Sequence, residues 1–203
     1  MCLIFTHFPQ CIIMMLSKIE DLLSRLLSLF VILIITPILV IVYLLIISFD
    51  GPPAICKSKR MGFRNKEFVF YKFRTMTNNK EVSKRVITKL GRFLRRSSID
   101  ELPQLFNIMF GSMNFVGPRP LPKESYKTEQ MKKNKLLRLS IKPGLTGLSQ
   151  INTLGKPRAV DDKLKYDIEY IKRRNILLDI FIIIKTISIL FRRFKVNKTG
   201  RTL

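Results

Sequence analysis

The chain has 203 residues, enough for one domain with an appended segment. Its formal charge of +23 points to polyanionic partners (nucleic acid, anionic lipid or phosphorylated substrates), while 47% hydrophobic residues exclude a disordered basic tail. With one histidine, His7, and three cysteines in no metal-type spacing (Cys2, Cys11, Cys56), the composition argues against histidine triads and Cys/His metal centres. Catalysis would then run on Asp, Glu, Lys, Arg or a hydroxyl. The cysteine usage fits a reducing, cytosol-facing compartment.

Residues 1–17 read as an extension without clear structure, with Met14 or Met15 as alternative starts. Residues 26–49 carry no charge and are long enough, at ~1.5 Å per helical residue, to cross a bilayer core of roughly 30 Å. A secretory signal fits poorly, because there is no basic n-region and no small-residue cleavage site. Pro37, behind Thr36, removes a backbone donor and predicts a kink near the midpoint. Both flanks are basic: Lys18 and Arg25 before, Lys57, Lys59, Arg60, Arg64 and Lys66 after. Basic flanks favour the cytoplasmic face. Two readings stand. A helix broken at Thr36-Pro37 could enter the membrane and return, with Thr36 bonding a freed carbonyl, or a single-pass anchor could tolerate the proline.

Pro52-Pro53 marks the exit from that segment. Residues 54–58 and 67–74 read as two strands around a turn containing Gly62 and Asn65, the second carrying Lys72 and Arg74 as phosphate contacts or exposed strand charges. A polar loop over 77–87 leads to a short basic helix over 88–96, and a second helix over 102–110 has Pro103 in its first turn and Gly111 at its end. Residues 115–122 form a rigid loop around Gly117-Pro118-Arg119-Pro120, 123–138 a charged amphipathic helix, 142–150 a turn-rich loop and 161–173 a helix. The apolar stretch 176–191 carries Asp179 and Lys185 and reads as an interfacial helix, or one packed on the domain, with a plain core helix as the alternative. Arg192, Arg193 and Lys195 would then meet anionic headgroups. The fold class is α+β, mainly helical: a membrane segment over 18–50 and a compact domain over 51–203 with one small β-hairpin.

Between residues 82 and 123 the only acids are Asp100 and Glu101, among Lys84, Arg85, Lys89, Arg92, Arg95, Arg96, Arg119 and Lys123. Nearby cations favour ionised carboxylates and suit an anionic substrate. The structural alternative is a capping box, Ser98 followed three residues later by Glu101. Two prolines restrict the backbone at Arg119, which suits bidentate phosphate binding, although a solvated arginine on a proline-rich turn has the same pattern. Gly144 and Gly147 lack the spacing of a nucleotide P-loop.

Taken together, Tyr71-Lys72-Phe73-Arg74-Thr75-Met76, Gly91-Arg92-Phe93-Leu94-Arg95, Asp100-Glu101-Leu102-Pro103-Gln104-Leu105-Phe106-Asn107, Val116-Gly117-Pro118-Arg119-Pro120 and Lys142-Pro143-Gly144-Leu145-Thr146-Gly147, with Gln150, Asp167 and Tyr170, resemble the bacterial sugar transferases. These are monotopic phosphoglycosyl transferases that start glycan assembly on a polyprenol carrier. The resemblance implies a two-step exchange. Asp100 attacks the sugar-bearing phosphate of a UDP-sugar and displaces UMP; a polyprenyl (undecaprenyl) phosphate then takes the phosphosugar. It implies Glu101 as an assistant in metal binding or proton transfer, Mg2+ held at Asp100 and Glu101, and Lys72, Arg95 and Arg119 on substrate phosphate. It also implies a re-entrant break at Thr36-Pro37 and a catalytic domain on the cytoplasmic side of a bacterial inner membrane, with the bilayer as partner and self-association left open. The chain departs from the family pattern at Ser58, at Lys142 and after Gln150. The competing function is a membrane-tethered nucleic-acid-binding protein, for which no motif is present; a member that has lost activity is disfavoured by Asp100, Glu101 and Arg119.

Overall fold

A computed structural model describes residues 7–153 and 160–196. It begins with α1 (His7–Asp50), which is helical already at His7, inside the stretch that the sequence suggests is unstructured. Among the described residues this is the one helix long and apolar enough to cross a membrane. Its buried residues Ser28, Ile32, Val42 and Ile46, with partly buried Val31, Ile35, Leu39 and Ile47 between them, trace one stripe at helical spacing. The other faces expose Leu33, Ile34, Val40, Ile41 and Leu44.

α1 runs through Pro37 as one helix, so the expected break reduces to the loss of one backbone donor. Thr36 Oγ1 donates to the Ile32 carbonyl at 2.7 Å, whereas the carbonyl that Pro37 leaves without a donor is that of Leu33. The threonine thus makes the ordinary back-bond to the residue four earlier rather than repairing the proline site.

Both ends of α1 are fastened to the rest of the molecule. At one end Arg174 pairs with Glu20 at 2.8 Å, Lys142 pairs with Asp21, and Arg25 covers Gly111. At the other, Thr88 Oγ1 donates to Asp50 Oδ2 at 2.8 Å, and Arg74 Nη2 donates to the carbonyls of Asp50 and Gly51.

β1 (Ile55–Met61) and β2 (Glu67–Phe73) form the expected antiparallel hairpin, with Cys56 opposite Lys72 and Met61 opposite Glu67. The turn takes Arg64 and Asn65 through positive φ (53° and 62°). α2 (Lys89–Ser97) and α3 (Gln104–Met109) follow. A second sheet escapes the sequence reading: β3 (Asn114–Val116) pairs in parallel with β4 (Gly144–Thr146), inside segments expected to be loops. Gly144 makes this pairing possible, since a Cβ there would lie 2.0 Å from the Gly117 amide nitrogen.

The charged helix expected over 123–138 is divided. A 3-10 turn (Lys123–Lys127) gives way at Thr128, whose backbone is extended, to α4 (Glu129–Arg138). α5 (Leu148–Thr153), α6 (Val160–Arg173) and α7 (Ile176–Val196) complete the fold. α7 buries Ile182 against Val116 and Tyr170 and exposes Ile176, Leu177, Ile180, Phe181, Ile184 and Phe191, so it both packs on the domain and presents an apolar face. α1 contributes to two core clusters: Ile32 with Phe70, Leu105, Ile108 and Met113, and Val42 and Ile46 with Ala54, Phe73 and Leu94. The domain is built onto this helix.

Candidate active site

The local fold at Asp100 starts one helix earlier. Thr88 caps α2, its Oγ1 accepting from the Gly91 amide at 2.8 Å. Gly91 lets α2 lie against the Thr75 carbonyl, where a Cβ would come within 2.1 Å. Ser98 ends α2 in left-handed geometry (φ 57°, ψ 16°), and its amide donates to the Arg95 carbonyl at 3.3 Å. A 3-10 turn (Ile99–Glu101) then leads through Leu102 and Pro103 into α3.

The capping box is not formed. Ser98 makes no side-chain cap, because its left-handed backbone belongs to the end of α2 and not to the extended geometry of a helix start. Glu101 is turned to two cations instead. Lys72 Nζ donates to its Oε1 at 2.8 Å, Arg119 Nη2 to Oε1 at 2.5 Å and Arg119 Nη1 to Oε2 at 3.4 Å. Asp100 is buried and takes no hydrogen bond from a described residue; its nearest cation is Lys72 Nζ at 4.0 Å.

Neighbouring carboxylates therefore diverge in acidity. At Asp100, burial outweighs Lys72 and the more distant Arg95 and Arg119, and the pKa lies above the ordinary aspartate value. The lowered pKa expected from the surrounding arginines is corrected there. At Glu101, burial is overcome by Arg119 and Lys72 together, which hold the carboxyl at about 2. One acid is made basic and uncommitted, the other is locked as an anion.

The other expected residues divide. Lys72 and Arg119 meet at the carboxylates, and Arg95 stands at the edge with its Nε donating to Thr75 Oγ1 at 2.7 Å and its charge acting on Asp100. Arg74 is not an exposed strand charge: it is buried, its Nη2 ties down the end of α1, and it also lines the cavity beside these residues. Thr36 and Pro37 lie on the exposed face of α1, away from the cavity. That cavity, of about 1290 Å³, is lined by Lys72, Arg95, Asp100, Glu101 and Arg119 and extends towards Thr146, Gln150 and Thr186.

The family model for bacterial sugar transferases matches residues 15–193. The chain belongs to the bacterial sugar transferase family. The UDP-glucose:undecaprenyl-phosphate glucose-1-phosphate transferase of Klebsiella pneumoniae is 35% identical over 205 residues, covering 92% of this chain and 42% of its own. The undecaprenyl-phosphate galactose phosphotransferase of Salmonella typhimurium is 36% identical over 167 residues, with 71% and 34% covered. A Bacillus subtilis protein named uncharacterized sugar transferase EpsL is 36% identical over 146 residues, with 68% and 69% covered. This sugar transferase spans less than half the length of the first two relatives.

Two side chains that hold the sugar transferase site together were not singled out as such from sequence. Asn107, almost fully buried, accepts from the Tyr71 amide at 3.1 Å and donates to the Val69 carbonyl at 2.6 Å, clamping β2 on either side of Phe70, just before Lys72. Asn107 closes the Asp100–Asn107 run that carries the resemblance, which gave it no role of its own. Arg138 joins Asp167, Tyr126 and the Arg119 carbonyl. No local pattern marks that cluster, because its members are far apart in the chain.

Proposed function

We propose that this protein transfers a phosphosugar from a UDP-sugar to a polyprenyl phosphate, undecaprenyl phosphate in bacteria, the step that initiates a surface glycan. The observation that carries this reading is Asp100: buried, without a hydrogen bond to its carboxylate from any described residue, more basic than an ordinary aspartate, and lining a cavity walled by Lys72, Arg95 and Arg119. The name of the Klebsiella relative gives UDP-glucose as donor and undecaprenyl phosphate as acceptor, and that of the Salmonella relative gives the same acceptor. The cavity exceeds the roughly 300–1,000 Å³ of ordinary small-ligand sites and has room for a nucleotide sugar beside a lipid phosphate.

In the first step an Asp100 carboxylate oxygen attacks the sugar-bearing phosphorus, and the bridging P–O bond breaks with its electron pair leaving on UMP. In the second, a phosphate oxygen of the polyprenyl phosphate attacks the same phosphorus and expels the Asp100 carboxylate. Lys72 and Arg119, whose charges Glu101 neutralises in the free site, move their donors to the diphosphate when it binds. While Arg119 and Lys72 hold it at about 2, Glu101 is an anion in the free site and suits holding their charge. The residues fit Mg2+ as a companion of the substrate. Asp100 has uncommitted oxygens, and Glu101 could join once a cation leaves it. The ion would supply neutralisation of the diphosphate charge.

The anchoring of α1 supports a re-entrant arrangement. Glu20, Asp21 and Asp50 all bind the same domain, and Pro37 stands near midway on the opposite, exposed face. Proline opens a helix on its own side, so the convex side would enter the lipid while both ends stay on the cytoplasmic face. Single cysteines placed at Lys18 and at Ser48 should both label from the cytoplasmic side in intact cells; labelling from opposite sides overturns the hairpin.

The functional test is UMP release by purified protein with Mg2+, undecaprenyl phosphate and a panel of UDP-sugars. Release with at least one donor is expected, and none with any donor overturns the reading. The acid limb of kcat/KM should report Asp100, which must be ionised to attack, and so lie above the ordinary aspartate value of about 3.9. Lys72→Met removes the cation that most opposes burial at Asp100, so in its residual activity that limb moves to higher pH.

A further inference from the structure

The Pro-Arg-Pro loop poses a mechanical problem. Pro118 and Pro120 have no N–H, so beyond Gly117 the loop offers one backbone donor, that of Arg119. It has to be held through its carbonyls. The Gly117 amide donates to the Thr146 carbonyl at 2.9 Å, and the Pro118 carbonyl accepts from the Gly144 amide at 3.0 Å, which fixes the approach to Arg119. The carbonyl of Arg119 itself is held by one side chain, Arg138, whose Nη2 donates to it at 2.5 Å.

Arg138 is itself fixed on its remaining sides. Its Nε donates to Asp167 Oδ2 at 2.8 Å and its Nη1 to the Tyr126 hydroxyl at 2.7 Å. The Arg138 side chain is 3% exposed and that of Asp167 5%, so the pair is almost fully buried. One planar fork thus gathers α4, α6 and the 3-10 turn behind the loop and presses them on a single peptide oxygen. On the far side of that peptide, the Arg119 guanidinium meets Glu101.

We infer that Arg138, locked by Asp167 and Tyr126, is a positioning residue that sets the aim of Arg119 into the cavity. The inference rests on the phosphoglycosyl transfer reading for what Arg119 grips. Arg138→Lys keeps a charge opposite Asp167 but loses the planar fork, so the Arg119 peptide is released while the buried charge stays paired. A misplacement of about 1 Å can cost as much as ~100-fold in rate.

The test is a double-mutant cycle on the full-length protein in detergent. With the donor sugar that the unmodified protein accepts, Arg138→Lys should lower kcat/KM for UMP release by about 10–100-fold, and Tyr126→Phe, which frees one arm of the fork, by a few-fold. In a chain that already carries Arg119→Ala, either change should cost less than about twofold, because the group being aimed is gone. A purely structural role predicts the full loss again in the Arg119→Ala chain, and that result overturns the inference, as does undiminished turnover by Arg138→Lys. If Arg138→Lys does not fold, Tyr126→Phe carries the same cycle. Read as the dissociation constant for UDP, the cycle needs no turnover. If the unmodified protein releases no UMP but the UDP cycle is non-additive, the phosphoglycosyl reading fails and the positioning role stands; normal turnover with an additive cycle is the reverse.

Discussion

Asp100→Asn should abolish UMP release, with a loss of at least ~10³-fold, while leaving the fold intact or slightly more stable. The two halves of this expectation have different causes. A carboxamide cannot act as the attacking anion, so the covalent route closes and at least ~4 kcal/mol of transition-state stabilisation goes with it. The fold is spared because burial already works against the charge at this position, as its raised pKa records. The substitution also discriminates against a structural role. Asparagine is about as good a helix-capping residue as aspartate, so a cap would survive it almost unchanged. UMP release and the thermal unfolding midpoint, measured on the same preparation, check both halves; normal turnover by Asp100→Asn removes Asp100 from the chemistry.

The second large effect is on stability. Arg138→Leu should destabilise the domain by about 3–5 kcal/mol, since it strands the Asp167 carboxylate in a nearly sealed site. The loss should depend on pH. Burial already raises the pKa of Asp167 against the pull of Arg138, and removing the arginine raises it further. The folded state then binds a proton more tightly than the unfolded chain, so stability falls as pH rises from the unfolded aspartate pKa through the folded one. The variant should be least impaired near pH 4–5, close to the unfolded aspartate value of about 3.9, and most impaired at pH 8. Adding Asp167→Leu should recover part of the loss by removing the stranded charge. Recovery stays incomplete because the Tyr126 hydroxyl and the Arg119 carbonyl remain without their partner. Denaturant midpoints of the single and double variants at two pH values measure this; a pH-independent loss would mean that Asp167 is not the stranded group.

Reading the sequence located what depends on short stretches of chain. The hairpin, the basic helix and the long apolar segment were legible, because composition and spacing encode them within a few residues. The meeting of Lys72 and Arg119 with Asp100 and Glu101 was expected from the resemblance, since these residues are spread over three separate segments. Three features were not. The β3–β4 pair has three residues per strand, too few to show alternation, and joins segments that read as loops because of their Gly and Pro content. The direction of the Asp100 pKa depends on how burial compares with Coulomb attraction, and only the fold sets the burial. The Arg138–Asp167 pair spans 29 residues, and although Asp167 is among the residues that carry the resemblance, nothing in the sequence joins it to Arg138 among the many charges on α4 and α6. Ser98 illustrates the opposite error: a local pattern fitted a helix start, and the residue ends the helix before it.

The stripe along α1 has a consequence for the order in which the molecule is made. Ser28 meets the Leu105 carbonyl 77 residues downstream, and Ile32 packs on Ile108 and Met113 beyond it. At about 5–20 residues per second, the ribosome finishes α1 roughly 3–13 seconds before those partners leave it. During that interval the inner stripe is as apolar and uncovered as the outer one, and whatever shelters the whole helix must later give up one side of it. Folding of the domain is therefore an exchange, in which protein replaces the first host along a single face. The same geometry forbids a shortcut at the bench: a chain begun after Asp50 would leave two core clusters open where Ile32, Val42 and Ile46 belong, and would yield an aggregate instead of a water-soluble enzyme.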